Sequence, residues 1–310
     1  MTRKLLLLCC IMAAVLVFLT ACQNENNEAG SQDATPLLWR ATSPEGNSIY
    51  LFGSIHVAEA GIYPLPSFVM DAFNRSDYLA VEIDILNEPS FEEQMAMIMP
   101  FMYTYGRSVA DDIGQNLLQR ASDIFAEHEM PWSGEIFKPV MWWIALTELA
   151  VNLSGWSAEY GIDIYFMQQA AQQNMPILEV ESAESQMQML ANFSMPLQIA
   201  LLEDMVTAFE NIDMYAEYEA NLLEMWLRGD YQAILTATNE ENERLGATLA
   251  AEYHDAMMVQ RDIHMTQVAR GYMADGKNVF FMVGLLHFIV EGGIIELLQE
   301  AGYTVERIGG

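Results

Sequence analysis

The chain has 310 residues, of which 52% are hydrophobic and 18% charged, and these values exclude a disordered polymer, a coiled-coil rod and a small disulfide-stabilised domain. Its 43 acidic residues far outnumber its 13 Lys and Arg residues, so the formal net charge is −30 at pH 7. A surface this acidic repels phosphate backbones, and we therefore expect no nucleic acid among its partners.

The N-terminal residues have the features of a secretion signal. Two basic residues precede an apolar run over residues 5–19, and Leu19-Thr20-Ala21-Cys22 resembles the lipobox of bacterial lipoproteins. This resemblance implies a signal peptide over residues 1–21, lipid attachment at Cys22 and a flexible tether over residues 22–36. A plain transmembrane anchor is the alternative, but the apolar run is short for a full span. We expect a lipoprotein of the cell envelope, held to the membrane by its N-terminal lipid on the extracytoplasmic face.

The folded part, residues 37–310, is predicted to begin with a β-hairpin. Two short apolar runs flank the turn residues Ser43-Pro44-Glu45-Gly46-Asn47. A first Gly-x-x-His motif, Gly53-Ser54-Ile55-His56, follows the second run directly. The pattern then predicts a helix capped by Ser67 that runs through Phe73, and a strand over Tyr78–Ile85.

The C-terminal end repeats this order. An apolar strand over Asn278–Val283 precedes a second motif, Gly284-Leu285-Leu286-His287, and a helix leads to a closing strand over Tyr303–Ile308. The segment between the two ends, residues 91–271, is predicted to be mainly helical, with one strand inside it. Its helices are predicted from apolar residues at helical spacing over 115–129, 140–153, 196–226 and 249–272, and its strand over Pro176–Val180.

These elements together predict an α/β fold. Continuous apolar strands that alternate with helices are typical of a sheet covered on both faces. We therefore expect a mostly parallel central sheet built from two strand–Gly-x-x-His–helix–strand units at the chain ends, with a large helical insertion between them.

Polar residues follow several of the predicted strands at their carboxyl ends. They are His56, Glu82, Asp84, Glu179, Glu181 and His287. Ligands of open α/β sheets bind beyond the carboxyl ends of the strands, so these side chains are expected to meet at one edge. Two imidazoles and a carboxylate suit a divalent metal ion, and we predict His56, His287 and Glu82 as its ligands. The glycine of each motif is expected to let the strand turn sharply and bring the imidazole inward.

Each of these residues also has a simpler explanation. A lone His is more often a hydrogen-bonded structural residue, Glu82 can be a solvated strand end, and Glu179 can cap or pair locally. Asp163 can be first-turn charge at a helix start. Arg261 is either a salt-bridge partner or the group that orients a substrate carboxylate. The remaining histidines have no comparable context and are expected at the surface or in the core: His128, His254 and His264.

An ordered set of short segments resembles the TraB/GumN family, which is related to the TIKI metalloproteases. The set covers nearly all of residues 37–310, and its members are Leu51–Val57 with Tyr63–Pro66, Val81–Asp84, Tyr160–Asp163, Leu178-Glu179 with Gln186, Arg261-Asp262 and Val283–His287. The resemblance implies that His56 and His287 are the active-site hallmark and that Glu82, Glu179 and Arg261 fall on recurrent polar positions. We predict these last three as catalytic residues.

The resemblance also implies a metal-dependent peptidase activity that uses manganese or cobalt rather than zinc. Where the family commonly has Arg-Asn, this chain has Arg261-Asp262. The predicted function is a membrane-tethered, extracytoplasmic, metal-dependent hydrolase of peptides or proteins, with zinc as the alternative ion. The alternative function is a binding lipoprotein that sequesters a peptide signal or a tetrapyrrole in the same crevice.

Overall fold

A computed structural model describes residues 34–130 and 132–309. The predicted signal peptide, the lipidation site Cys22 and most of the predicted tether lie outside the described residues. None of the helices in the described part is long and apolar enough to cross a membrane. The strands are β1 (Leu38–Thr42), β2 (Ser48–Ser54), β3 (Tyr78–Val81), β4 (Ile177–Glu179), β5 (Val279–Gly284) and β6 (Thr304–Ile308).

The six strands form one sheet in the order β4-β3-β5-β2-β1-β6. Strand β5 is parallel to both β2 and β3, and β3 is parallel to β4, whereas β1 is antiparallel to both β2 and β6. The prediction of a mostly parallel sheet is therefore wrong, because the sheet is mixed. The predicted hairpin is confirmed and is the cause: a tight turn at residues 43–47 can join only antiparallel strands, and β6 then pairs with the free edge of β1.

The helices fill the space between the strands in sequence and cover the sheet. They are α1 (Ser67–Asn74), α2 (Phe91–Ile98), α3 (Ala110–Glu127), α4 (Pro139–Leu153), α5 (Ile162–Gln173), α6 (Ala183–Ala191), α7 (Met195–Phe209), α8 (Ile212–Arg228), α9 (Tyr231–Glu243), α10 (Ala247–His254), α11 (Gln260–Ala274), α12 (Leu286–Ile289) and α13 (Ile294–Glu300). A π-helical segment, Asp255–Val259, joins α10 to α11.

Two predicted helices differ from those in the structure. The single helix predicted over residues 196–226 is two helices, because the chain breaks at Glu210 and Asn211 between α7 and α8. The helix predicted over residues 249–272 contains the π-helical segment. Both differences arise because apolar spacing detects a buried face but does not locate a change in the backbone hydrogen-bond pattern.

The core lies on both faces of the sheet. In β5 the residues Val279–Val283 are all buried, as expected for a central strand with both faces covered. Helix α8 of the insertion packs onto this core through Trp226, whose indole N–H donates a 2.9 Å hydrogen bond to the carbonyl of Gly53. Two further apolar clusters lie within the helical insertion and include Met141 and Trp142 of α4. The insertion is therefore anchored to the strand that carries the first motif.

Candidate functional site

The candidate site lies at the carboxyl edge of the four mutually parallel strands β4, β3, β5 and β2. Strands β2 and β5 are neighbours, with Gly53 opposite Val283 and Ser54 opposite Gly284. The two Gly-x-x-His motifs therefore leave the sheet side by side. Val81 lies opposite Glu179, so β3 and β4 end at the same edge. This arrangement follows the rule that ligands of such sheets bind beyond the strand ends.

The imidazole of His56 is paired with a carboxylate. Its Nδ1 lies 2.9 Å from Oδ2 of Asp163, in the first turn of α5, and the Ser54 hydroxyl donates a 2.8 Å hydrogen bond to the other oxygen. The negative charge of Asp163 raises the pKa of His56 above its ordinary value. Because 64% of the His56 side chain is exposed, water screens part of this attraction.

The imidazole of His287 is held in the same way by Asp262 of α11. Its Nδ1 lies 2.5 Å from Oδ1 of Asp262, and the two side chains are only 4% and 1% exposed. Burial raises the pKa of Asp262, while the hydrogen bond to His287 acts in the opposite direction. A carboxylate only accepts hydrogen bonds, so Nδ1 of each ring bears the proton and Nε2 of a neutral ring is left with a lone pair.

Glu82 lies at the centre of a charged network. Its Oε2 accepts hydrogen bonds from Arg261 Nη2 at 2.6 Å and Gln186 Nε2 at 3.0 Å, and its Oε1 accepts one from the backbone N–H of Gly284 at 2.7 Å. The same guanidinium donates to both carboxylate oxygens of Glu181. The three charged side chains are between 8% and 11% exposed, so the network is shielded from water.

The charge of the network keeps Glu82 ionised. Burial favours the neutral carboxyl, but the positive charge of Arg261, the two neighbouring imidazoles and the N–H of Gly284 outweigh it and hold the pKa of Glu82 well below its usual range. Glu82 also lies near the second imidazole, with 3.9 Å between its Oε1 and His287 Nε2. The site is thus a buried carboxylate close to two imidazoles.

The glycines of the two motifs provide space. A Cβ added to Gly284 would lie 3.3 Å from Glu82 Oε1, 3.6 Å from His287 Cδ2 and 3.8 Å from His56 Nε2. Because Gly284 has no side chain, the point on which these three groups converge is open. A Cβ on Gly53 would lie 2.4 Å from Leu285 Cδ1, so this glycine permits close packing of the two motifs. Neither glycine has a positive φ, so neither is required for a left-handed backbone, and their role in a sharp turn stays a prediction.

The π-helical segment Asp255–Val259 immediately precedes the two residues of α11 that enter the site. A carbonyl of this segment, that of Met257, accepts a 3.2 Å hydrogen bond from Nη1 of Arg261. π-Helical turns occur frequently at functional sites because they change the direction of the side chains that follow. Here the turn aims Arg261 at Glu82 and Asp262 at His287.

The structure brings together His56, His287, Glu82 and Arg261, and it leaves two predicted residues outside. Strand β3 ends at Val81, earlier than expected, and Asp84 lies in the following turn, where its Oδ1 accepts from the N–H of Leu86. Glu179 is exposed, and its Oε1 accepts from the backbone N–H of Asp84 at 3.0 Å. Its proposed catalytic role stays a prediction.

Three residues of the site were not predicted as members of it: Asp163, Gln186 and Asp262. The sequence carried a signal for them, because all three belong to the segments that carry the family resemblance. Glu181 was expected at this edge of the sheet, but its position after a strand matched that of Glu179 and gave it no separate role. Two of the histidines expected at the surface or in the core, His254 and His264, adjoin these elements, and His264 Nε2 lies 2.9 Å from the carbonyl of Val180.

The donor chemistry of the site suits a divalent ion, although the side chains are not arranged as a complete set of ligands. Imidazoles whose Nδ1 is held by a carboxylate are the usual form of metal-ligating histidines. No three His, Cys, Asp or Glu side chains in the described part of the chain are positioned together to hold one ion. Because three donors already engage Glu82, its coordination of an ion requires that these hydrogen bonds shift.

Comparison with known proteins gives the family. The model of the TraB/PrgY/gumN family matches residues 37–307. The chain belongs to this family. Its match covers both Gly-x-x-His motifs and every residue of the site described above.

Similar proteins come from bacteria and from an animal. The chain is 29% identical over 261 residues to the uncharacterized protein YbaP of Escherichia coli (strain K12). The aligned residues cover 83% of this chain and 90% of YbaP. YbaP of Shigella flexneri gives the same values. The chain is 22% identical over 323 residues to metalloprotease TIKI2 of Xenopus tropicalis. This alignment covers 89% of this chain and 60% of TIKI2. No solved structure matches the chain.

Proposed function

We propose that this protein is a metal-dependent hydrolase of peptides or proteins. The observation that carries the proposal is the convergence of two carboxylate-held imidazoles and the ionised Glu82 on the open face of Gly284. The similarity to a protein named as a metalloprotease points to the same reaction class. We further propose, from the sequence of the N-terminus, that lipid on Cys22 tethers the enzyme to the outside of a membrane.

In this proposal the Nε2 atoms of His56 and His287 would hold the ion, together with Oε1 of Glu82. A divalent ion bound by these residues would lower the pKa of a bound water and polarise a substrate carbonyl. Asp163 and Asp262 fix the tautomer and the direction of the two rings, since each accepts the Nδ1 proton. The four side chains thus form two carboxylate–imidazole pairs whose rings converge near Gly284.

Arg261 holds the charged network together in the proposal. Its single positive charge is shared by Glu82 and Glu181, which would otherwise repel each other. Gln186 donates to the same Glu82 oxygen as the guanidinium and helps to keep that carboxylate in place.

Substitution of the two histidines tests the proposal. Purified wild-type protein is incubated with a peptide library in the presence of manganese, cobalt or zinc, and cleavage is followed by mass spectrometry. Elemental analysis measures the bound metal. We expect His56→Ala and His287→Ala to lose both the metal and the cleavage and to remain folded. His128→Ala is the matched control, because its ring lies against Phe209 on the helical insertion.

Absence of cleavage with every ion would contradict the proposal. Retention of cleavage by both histidine variants would also contradict it. If the wild-type protein binds library peptides tightly and never cleaves them, the same site serves for sequestration instead of hydrolysis.

A further inference from the structure

A cavity of about 560 Å³ lies beside the site, within the helical insertion. Its walls come from α4, α7, α8, α9 and α10, from the π-helical segment and from α12 and the residues after it. Two of its lining residues connect it to the site. Leu286 directly precedes His287, and Met258 belongs to the π-helical segment that leads into the helix of Arg261. The cavity therefore shares two segments of the chain with the site.

The lining of this cavity combines apolar surface with negative charge. Leu201, Leu245 and Met258 supply apolar wall, and Trp143 supplies an aromatic surface. Two carboxylates, Asp204 and Glu291, also line it, whereas none of its described lining residues is Lys or Arg.

Neither carboxylate is neutralised within the described chain. No described Lys or Arg forms an ion pair with Asp204 or with Glu291, in contrast to Glu82 and Glu181, which share Arg261. The charges that line the cavity are therefore available to a ligand.

This combination matches the side chain of lysine or arginine. Such a side chain has an apolar stem that packs on aliphatic wall and a cationic head that carboxylates and aromatic faces attract. A neutral aliphatic side chain would gain no attraction from the two carboxylates, and an acidic one would be repelled by them. We propose that the cavity is the specificity pocket of the enzyme and selects a Lys or Arg residue of the substrate. This inference rests on the proposed function for the nature of the substrate.

Binding of two matched peptides tests the inference without any turnover. The probes are acetyl-Ala-Ala-Lys-Ala-Ala-amide and its counterpart with norleucine, which keeps the length of the stem and lacks the ammonium group. Calorimetry on the wild-type protein is expected to give a dissociation constant about tenfold lower for the lysine peptide. In the double variant Asp204→Asn/Glu291→Gln the preference is expected to fall within about twofold.

A charge-matched control is necessary because the whole molecule is acidic and attracts any cation. The double variant Glu203→Gln/Glu300→Gln removes the same charge from exposed positions that do not line the cavity, and its preference for lysine is expected to stay. Circular dichroism checks that the variants are folded. If the double cavity variant is unfolded, Glu291→Gln alone, at an exposed position of the lining, is expected to lower the preference about threefold.

Equal or tighter binding of the norleucine peptide would overturn the inference, as would a lysine preference that survives in the cavity variants. The result is separate from the test of hydrolysis. A lysine preference that depends on the two cavity carboxylates supports the inference even if no ion supports cleavage, and in that case only the proposed function fails. Cleavage without preference for Lys or Arg removes the inference and leaves the proposed function intact.

Discussion

Replacement of Arg261 by methionine is the sharpest test of the charged network. Arg261 lies 2.6 Å from carboxylate oxygens of both Glu82 and Glu181, and the three side chains are at most 11% exposed. Methionine preserves much of the stem and removes the charge, so that two buried carboxylates lose their common partner. Loss of one partner from a buried ion pair costs about 3–5 kcal/mol of unfolding free energy. For a domain of this size the corresponding decrease in Tm is about 6–20 °C.

Urea unfolding followed by circular dichroism measures the effect. The matched control is Arg40→Met, because Arg40 pairs with Glu306 at the surface, where the two side chains are 49% and 59% exposed. Its cost is expected to be below about 1 kcal/mol. Adding Glu82→Gln and Glu181→Gln to Arg261→Met is expected to restore a large part of the lost stability, since it removes the unpaired charges.

The pH dependence of this cost has a definite sign. The network holds the pKa of Glu82 below its unfolded value of 4.5, so the stability that it contributes is present above pH 4.5 and is lost as pH falls through the lower, folded pKa. The difference between wild type and Arg261→Met should therefore be largest near neutral pH and narrow in acid. If Arg261→Met lowers the unfolding free energy no more than Arg40→Met does, or by an amount that does not change with pH, the network does not stabilise the fold as described.

Three further predictions follow from single sites. Gly284→Ala places a Cβ 3.3 Å from Glu82 Oε1, so we expect a folded protein with impaired metal binding, whereas Gly53→Ala, with contacts down to 2.4 Å, should lower the unfolding free energy by about 1–3 kcal/mol in a urea titration. Asp262→Ala removes the acceptor of His287 and is expected to weaken metal binding about 10–100-fold by calorimetry, and unchanged affinity would exclude a supporting role for this carboxylate. Burial raises the pKa of Glu148 from 4.5 to about 7, and its Oε2 has no partner among the described residues. Its contribution to stability should therefore decrease as pH rises from 4.5 to 7, and Glu148→Gln should make the pH dependence of the unfolding free energy shallower in this range. The same slope in the variant would contradict the assignment.

The parts of the fold that the sequence predicts well are those set by local pattern. The hairpin follows from turn residues between two apolar runs, and β5 follows from a continuous apolar run. The two motifs follow strands β2 and β5, so the proximity of His56 and His287 could be expected from the strand-end rule before the pairing was known. The antiparallel orientation of β1 follows from the β1–β2 hairpin, and β6 pairs antiparallel with β1. The composition of the strands alone favoured a parallel sheet and did not show this.

The rest of the site depends on contacts that local pattern does not determine. Strand β4 is only three residues long, and the carboxylate that reaches Arg261 comes from Glu181, beyond the end of the strand, and not from Glu179. The direction of Asp262 depends on a π-helical turn, which disrupts the regular spacing used to assign helix faces. The contact between Asp163 and His56 depends on how α5 packs at the sheet edge. From the sequence, the position of Asp163 in the first turn of a helix was explained equally well as a charge that favours the helix start.

The π-helical segment Asp255–Val259 also separates two kinds of side chain on one continuous rod. His254 and Met258 face the cavity, whereas Arg261 and Asp262 face the imidazoles. A π-helical turn accommodates one residue more than an α-helical turn, so the extra residue is absorbed here and each end of the rod keeps its own partners. Deletion of one residue would restore ordinary α-helical winding and remove the widened turn that separates Met258 from Arg261.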